Sequence, residues 1–129
     1  MLKDAPVMAI LPAVDIERAK RFYSEKLQLD EATVGVPSDG ATFVSGDGTM
    51  LYLYAREAGT DADHTVAGWL VEDVEVTVRE LRERGITFEQ YNMPGLKTDE
   101  RGIAEAEGTR GAWFKDSEGN ILALAEMVE

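Results

Sequence analysis

A sequence pattern that occurs twice, in the same order, constrains this chain more than any other feature. Residues 40–55 and residues 111–125 each contain a Gly-Ala-x-Phe segment, then an acidic residue followed by glycine, then an apolar run. An acidic-Gly pair between two β-rich runs is typical of a hairpin, because glycine tolerates the positive φ of a tight turn. A segment of the form x-Asp-(Ile/Val)-Glu precedes each copy, at residues 14–17 and 72–75. The chain is therefore predicted to contain one module in two copies.

Length and charge limit the classes of function. A chain of 129 residues is long enough for one domain with a substantial core. The formal net charge of −12 argues against nucleic acid and anionic membranes as partners, because phosphate binding requires clustered Lys and Arg. The absence of cysteine excludes disulfides and thiolate metal sites. No segment resembles a signal peptide or a spanning helix, so we expect a soluble cytoplasmic protein without a membrane partner.

The first copy predicts a strand, a helix and then three strands. The apolar run at residues 7–11 is typical of a strand that is buried on both faces. Asp15 is placed to cap the helix that follows, because its carboxylate can accept a backbone N–H of the first turn. A further strand is predicted over residues 29–36 and a turn over residues 37–40, before the first hairpin.

The second copy predicts the same order of elements. Module one covers residues 1–57, a polar linker covers residues 58–63, and module two covers residues 64–129. Within module two, a strand is predicted over residues 65–71 and another, after the second helix, over residues 86–91. Both modules are thus expected to form one domain.

The second copy is longer than the first, because an insertion lies between Tyr91 and Gly111. An insertion of this length in a compact domain is more often functional or mobile than idle. We expect the loop at residues 92–108 to form a rim or flap over whatever the sheet encloses. The alternative is a surface excursion with an additional short strand at residues 103–107.

With this order of elements in each half, the sequence resembles the vicinal oxygen chelate superfamily, which includes glyoxalase I, extradiol dioxygenases, fosfomycin-resistance enzymes and bleomycin-resistance proteins. The resemblance is carried by Asp-Ile-Glu-Arg-Ala-Lys-Arg-Phe-Tyr at residues 15–23 and Phe-Lys-Asp-Ser-Glu-Gly-Asn-Ile-Leu at residues 114–122. It implies an α+β fold of two tandem βαβββ modules, whose curved mixed sheets form an open cup with the helices on the outer side. It also implies a homodimer. The chemistry stays open, because one fold can host many functions.

The same resemblance allows the metal ligands to be compared position by position. Metal-dependent members place a ligand on the cup face of the first and last strand of each module. Where such relatives carry His or Gln, this chain has Met8, and where they carry Glu it has Ala123. The repeat equates these positions with Val66 and Tyr52. None of the four supplies the imidazole or carboxylate that a divalent cation prefers, so we expect no metal and no other cofactor.

His64 leaves an alternative open. It is the only histidine, and on a regular strand it would point to the same side as Val66, two residues later. A β-bulge could slide it into the ligand position. The nearest possible partner, Glu126, has the opposite strand parity from Ala123. The alternative is therefore a divalent metal such as Zn, Ni, Mn or Fe held near His64.

Strand parity predicts which side chains line the cup. The residues that face the helices are uniformly apolar and include Trp69, whereas the cup face contains Tyr52 and Tyr54. Two tyrosine rings with hydroxyl groups are typical of an apolar ligand site with few polar contacts. The strand register of Trp113 is not determined by this pattern. The predicted ligand-binding residues are Met8, Ile10, Tyr52, Tyr54, His64, Val66, Gly68, Tyr91, Met93 and Ala123.

Two functions are compatible with these patterns. No nucleophile elbow, phosphate-binding loop or dinucleotide fingerprint occurs, and no catalytic residue is selected among the carboxylates. The first function is a small-molecule binding protein of the glyoxalase/bleomycin-resistance type, which holds an organic ligand in the cup without a metal. The alternative is a glyoxalase-like lyase, isomerase or dioxygenase with a divalent metal near His64. Met, Val and Ala at ligand positions favour the first.

Overall fold

The computed structural model describes residues 1–32, 39–106 and 108–127. The chain divides into two compact units. The first comprises Met1–Asp61 with the turn Ser117–Gly119, and the second comprises Ala62–Asp116 with Asn120–Glu129. Within the described residues, no helix is both long and apolar enough to cross a membrane.

In the first unit, a four-stranded sheet packs against one helix. The strand order is β1-β4-β3-β2, in which β1 runs parallel to β4 and the other pairs are antiparallel. A π-helical turn, Phe22–Lys26, extends the helix. The elements are β1 (Met8–Ala13), α1 (Ile16–Arg21), β2 (Asp30–Ala32), β3 (Gly40–Val44) and β4 (Met50–Ala55).

The second unit has the same topology. Its four-stranded sheet has the order β5-β10-β9-β8, with β5 parallel to β10, and a separate two-stranded hairpin is formed by β6 and β7. This repetition confirms the predicted α+β fold of two βαβββ modules. The elements are β5 (Thr65–Leu70), α2 (Val74–Glu83), β6 (Asn92–Met93), β7 (Leu96–Lys97), β8 (Ile103–Ala106), β9 (Thr109–Lys115) and β10 (Ile121–Met127).

The two copies share their strand register as well as their topology. In the first sheet Ile10 of β1 pairs with Tyr52 of β4. In the second sheet the equivalent positions, Gly68 of β5 and Ala123 of β10, pair in the same way. A shift of one residue in either sheet would exchange its two faces, so the shared register means that equivalent positions face the same way in each copy.

The repeated Gly-Ala-x-Phe segment places its Ala and Phe in the core of each unit. Ala41 and Phe43 are fully buried, and the Phe43 ring lies 5.8 Å from the ring of Tyr23, which belongs to the π-helical turn. Ala112 and Phe114 are fully buried in the second unit. In each copy Ala and Phe are two residues apart. Because successive residues of a strand alternate between faces, both side chains point to the face that packs against the helix.

Both helices begin after the aspartate of the repeated segment, as predicted for Asp15. Asp15 is the N-cap of α1, and its carboxylate accepts the backbone N–H of Arg18 at 3.0 Å. Asp73 caps α2 in the same way, accepting the N–H of Val76 at 3.2 Å. Each cap satisfies one donor that the first helical turn leaves unpaired.

The strand predicted over residues 86–91 is wrong. Within this segment the structure has an isolated bridge between Phe88 and Phe114, not a continuous strand. Ile86 and Phe88 are buried. The apolar pattern therefore reflects packing against the core, which needs no continuous ladder of hydrogen bonds.

Three further predictions are met in part. The strand predicted over residues 29–36 is β2, which begins at Asp30; residues 33–36 lie outside the described residues. The short strand predicted at residues 103–107 is β8, and residue 107 lies outside the described residues. Trp69 pairs with Leu124 and so shares the helix-facing side, as predicted, but it is partly exposed.

The carboxylate of Glu118, in the turn Ser117–Gly119, lies at the N-terminus of α1. Its Oε1 accepts the backbone N–H groups of Val14 and Asp15, each at 2.9 Å. Arg18 donates to the same carboxylate, from Nε at 2.7 Å and from a terminal guanidinium nitrogen at 3.0 Å. The Glu118 side chain is 1% exposed, so these donors replace solvent around a buried charge.

This network predicts acid sensitivity. Burial alone would raise the pKa of Glu118, but hydrogen bonds from Arg18, the Asp15 N–H and Ser117 lower it from 4.5 to about 2. Because the folded pKa is the lower one, the carboxylate stabilises the fold above about pH 4.5, and this stabilisation is lost as the pH falls towards 2. Between neutral pH and about pH 3 we expect a loss of about 2 kcal/mol from this group. Urea unfolding across this pH range should show a steeper decline for the native chain than for Glu118→Gln, and parallel curves would contradict the assignment.

Candidate functional site

One face of the first sheet carries four of the predicted ligand-binding residues. We call it the α1-distal face, because the alternate residues of its strands pack towards α1. Met8 and Ile10 of β1 are 39% and 57% exposed, and Tyr52 and Tyr54 of β4 are half-buried. A Cβ atom at Gly40 would lie 2.8 Å from the Tyr52 hydroxyl oxygen, so this ring lies over the glycine. The face combines apolar and aromatic surface with two hydroxyl groups.

The equivalent face of the second sheet carries two more predicted residues, Gly68 and Ala123. On this α2-distal face, Ala123 pairs with Gly68 on one side and with Trp113 on the other. Val66 lies in the same strand as Gly68. A Cβ atom at Gly111 would lie 3.3 Å from Cη2 of Trp113, so here too an aromatic ring lies over the glycine of the repeated segment. The glycine of each copy therefore leaves room for a ring on the face away from the helix.

A cavity of about 130 Å³ lies within the second unit, near the start of β5. Three predicted residues, His64, Tyr91 and Met93, line it together with Trp113 and Asp63. The rings of Tyr91 and Trp113 are 5.6 Å apart between centroids and meet at 76°, edge to face. The sequence analysis did not place Trp113. It lies two residues after Gly111 in the same strand, and this spacing indicates that both residues share a face of the sheet.

The irregular start of β5 brings His64 to this cavity. Ile121 of β10 pairs with Thr65, but the next residue, Leu122, pairs with Ala67, so Val66 is the additional residue of a β-bulge. The expectation that His64 shares a side with Val66 assumed a regular strand. The strand instead begins at Thr65, and His64 lies before it, exposed and beside the cavity.

The insertion of module two supplies another part of the cavity wall. It folds back as the β6–β7 hairpin, whose Met93 and Leu96 pair with each other and both line the cavity. Tyr91 is held at the base of this hairpin: its N–H donates to Oγ1 of Thr98 at 2.9 Å, and its carbonyl oxygen accepts the Thr98 N–H at 2.9 Å. The insertion is therefore a structured wall of the cavity.

The Tyr91 hydroxyl is a neutral group in this setting. Burial raises the pKa of Tyr91, and the nearby negative charge of Glu89 raises it further. Both effects disfavour the phenolate. At neutral pH the hydroxyl can therefore donate a hydrogen bond.

The residues present do not fit a divalent metal ion. Among the described residues, no group of three or more His, Cys, Asp or Glu side chains could hold one. The carboxylate of Glu126 accepts the Val74 N–H at 2.6 Å, so it lies at the N-terminus of α2, on the face opposite Ala123. The positions at which the family resemblance predicts metal ligands carry Met8, Tyr52, Val66 and Ala123. This set lacks the imidazole and carboxylate donors of such sites, and a metal-free protein remains a prediction.

The sequence also matches a family model. The model is described as the Glyoxalase/Bleomycin resistance protein/Dioxygenase superfamily, and the match covers residues 6–124. This chain belongs to that superfamily. The predicted resemblance is thereby confirmed. A comparison with curated proteins gave no match.

Several solved structures share the fold of this chain. A glyoxalase family protein from Enterococcus faecalis has 21% identity and a TM-score of 0.70, with 98% of this chain and 100% of that chain covered. Lactoylglutathione lyase from Agrobacterium tumefaciens has 20% identity and a TM-score of 0.67, with coverages of 95% and 93%. The oxidase ChaP-H2 has 20% identity and a TM-score of 0.68, with coverages of 94% and 91%. At this identity the likeness concerns the fold, and function must be argued from the site.

Proposed function

We propose that this superfamily member binds a small organic molecule without a metal, and that a ring or apolar group of this molecule enters the cavity beside Trp113. The observation that carries the proposal is the cavity itself, where Tyr91, Met93 and Trp113 lie together with His64. Aromatic and thioether side chains thus lie beside polar groups in the lining, a combination that ligand pockets use.

The size of the cavity limits what enters it. Its volume of about 130 Å³ is close to that of an engineered apolar cavity of about 150 Å³ that binds benzene. One ring, or a group of similar bulk, therefore fits, and the rest of the ligand lies outside. The other predicted ligand-binding residues lie in the two sheets, Met8, Ile10, Tyr52 and Tyr54 in the first and Val66, Gly68 and Ala123 in the second, and their contact with a ligand stays a prediction.

The alternative function is that of a glyoxalase-like lyase, isomerase or dioxygenase that holds a divalent metal near His64. It is supported by the enzyme names of two structural relatives, a lactoylglutathione lyase and an oxidase. The donor set of this chain argues against it. Metal analysis of the purified protein separates the two: stoichiometric Zn, Ni, Mn or Fe that is lost in His64→Ala would overturn our proposal. From the family resemblance we also propose a cytoplasmic homodimer.

Ligand entry can be tested at the two tryptophans of the chain. In heteronuclear NMR spectra of nitrogen-labelled protein, titration with phenol should shift the indole N–H signal of Trp113 and leave that of Trp69 in place. A chelator should not change the result. Trp113→Ala lacks the reporting indole, so its phenol binding is followed through the backbone N–H signals of Thr65 and Met93, which line the cavity. Binding should be about tenfold weaker, because an aromatic wall of the cavity is removed.

Trp69→Phe serves as the matched control and assigns the remaining indole signal. It should bind phenol as the native chain does, since Trp69 does not line the cavity. Equal shifts of both indoles, or unchanged binding by Trp113→Ala, would contradict the proposed site.

A further inference from the structure

We infer that the group received by this cavity is a small organic cation of the methylated-ammonium type. The inference rests on the proposed function, since it specifies the ligand of the same cavity. Three features of the second unit support it: the angle between two aromatic rings, the charges beside these rings, and the volume of the cavity that the rings line.

The first feature is the aromatic corner formed by Tyr91 and Trp113. Their ring planes meet at 76°, edge to face, with centroids 5.6 Å apart, and both side chains line the cavity. The face of an aromatic ring carries the negative part of its quadrupole. A cation in the cavity is attracted to the aromatic face that it contacts, which is how aromatic side chains bind quaternary ammonium groups.

The second feature is the sign of the charges around this corner. Asp63 lines the cavity, and the negative charge of Glu89 acts on Tyr91, where it contributes to the raised pKa of the hydroxyl. Among the described residues that line the cavity there is no Lys or Arg. The ammonium of Lys115 lies 3.8 Å from the Glu89 carboxylate, so these two charges partly offset each other and Asp63 supplies the main negative charge beside the rings. His64 is the one basic side chain of the lining.

These charges discriminate between ligand classes. An anionic group would meet the Asp63 carboxylate without a guanidinium or ammonium to compensate it. A neutral group would gain contact with the rings but no electrostatic attraction. A cation gains both, and at a partly exposed site each aromatic face contributes about 0.5–1 kcal/mol. The cavity of about 130 Å³ accommodates a group with the bulk of one ring, which suits a trimethylammonium group.

The test compares choline with dimethylbutanol, its neutral isostere, in which a tert-butyl group replaces the trimethylammonium group. Both are titrated into the full chain, and the indole N–H signal of Trp113 reports binding, with Trp69 as the internal reference. We expect choline to bind about tenfold tighter than dimethylbutanol, because shape is held constant and charge is changed. Equal affinity of the two probes would overturn the inference.

Asp63→Asn tests the contribution of the carboxylate. It should weaken choline binding about threefold and leave dimethylbutanol binding unchanged. Asp61→Asn is the matched control, since it removes one negative charge from the same loop at a residue that does not line the cavity. An equal effect of both variants would mean that net charge, not the cavity, attracts the cation, and would refute the inference.

Phenol distinguishes failure of this inference from failure of the proposed function. If phenol shifts the Trp113 indole signal but choline does not, the inference fails and the proposed function stands. If no probe shifts this signal, both are refuted.

Discussion

Glu118→Ala lowers the free energy of unfolding by about 3 kcal/mol, because it leaves two part-buried backbone donors and a guanidinium without their acceptor. In the native chain the Glu118 carboxylate accepts the N–H groups of Val14 and Asp15 and is paired with Arg18. These backbone donors belong to the segment that enters α1. Arg18 is half-exposed and can turn to water, so the loss should come mainly from the backbone groups.

Urea unfolding followed by circular dichroism measures the change, and amide exchange locates it. The Val14 and Asp15 amides should lose protection in Glu118→Ala more than amides elsewhere in the first unit. Glu17→Ala is the matched control, because its side chain is 75% exposed and its contact with Lys20 spans 3.8 Å. This variant should stay within about 0.5 kcal/mol of the native chain. Equal losses in the two variants would show that the buried carboxylate has no special role.

Gly40→Ala is expected to destabilise the fold by about 3 kcal/mol, although it adds a single methyl group. A Cβ atom at this position would overlap the backbone oxygen of Leu53 and lie 2.8 Å from the Tyr52 hydroxyl oxygen. The side chain of Tyr52 could turn away, but the Leu53 oxygen belongs to β4, the strand paired with β3. Relief therefore requires a shift of the sheet backbone, which is the costly kind of overpacking.

The second copy of the motif provides the control. A Cβ atom at Gly111 would lie 3.3 Å from the far end of the Trp113 ring and 3.4 Å from the Leu124 oxygen, so a small ring movement makes room. Gly111→Ala should cost less than about 1 kcal/mol, while shifting the Trp113 indole signal. The two variants are compared by urea unfolding, and similar losses would contradict the difference that we assign to the backbone contact.

Much of the fold was predictable because its signals are local. The Gly-Ala-x-Phe segments, with their acidic-Gly turns, predicted both hairpins, and Gly119 has the positive φ of 92° that such a turn requires. Asp15 and Asp73 cap the helices that they precede. Strand alternation placed Tyr52 and Ala123 on the faces away from the helices, where the structure has them.

The errors arose where non-local packing overrides a local pattern. Residues 86–91 are apolar enough for a strand, yet the structure leaves them as a buried segment with one bridge. The bulge at Val66 was weighed as a possibility but could not be located, because it depends on how β5 is aligned with β10. The role of Glu118 was missed, since its donors are distant in sequence.

The sequence by itself determined that this protein is a twice-repeated βαβββ module of the glyoxalase superfamily, because turns, caps and strand alternation are encoded within short stretches of chain. Only the tertiary structure decided which aromatic side chains meet. Tyr91 and Trp113 stand far apart in the sequence, and they contact each other because the segment before Tyr91 lies along β9: Phe88 bridges to Phe114, and the Glu89 N–H donates to the Trp113 carbonyl oxygen at 2.8 Å. Such a contact depends on the packing of several elements at once, which no local pattern contains.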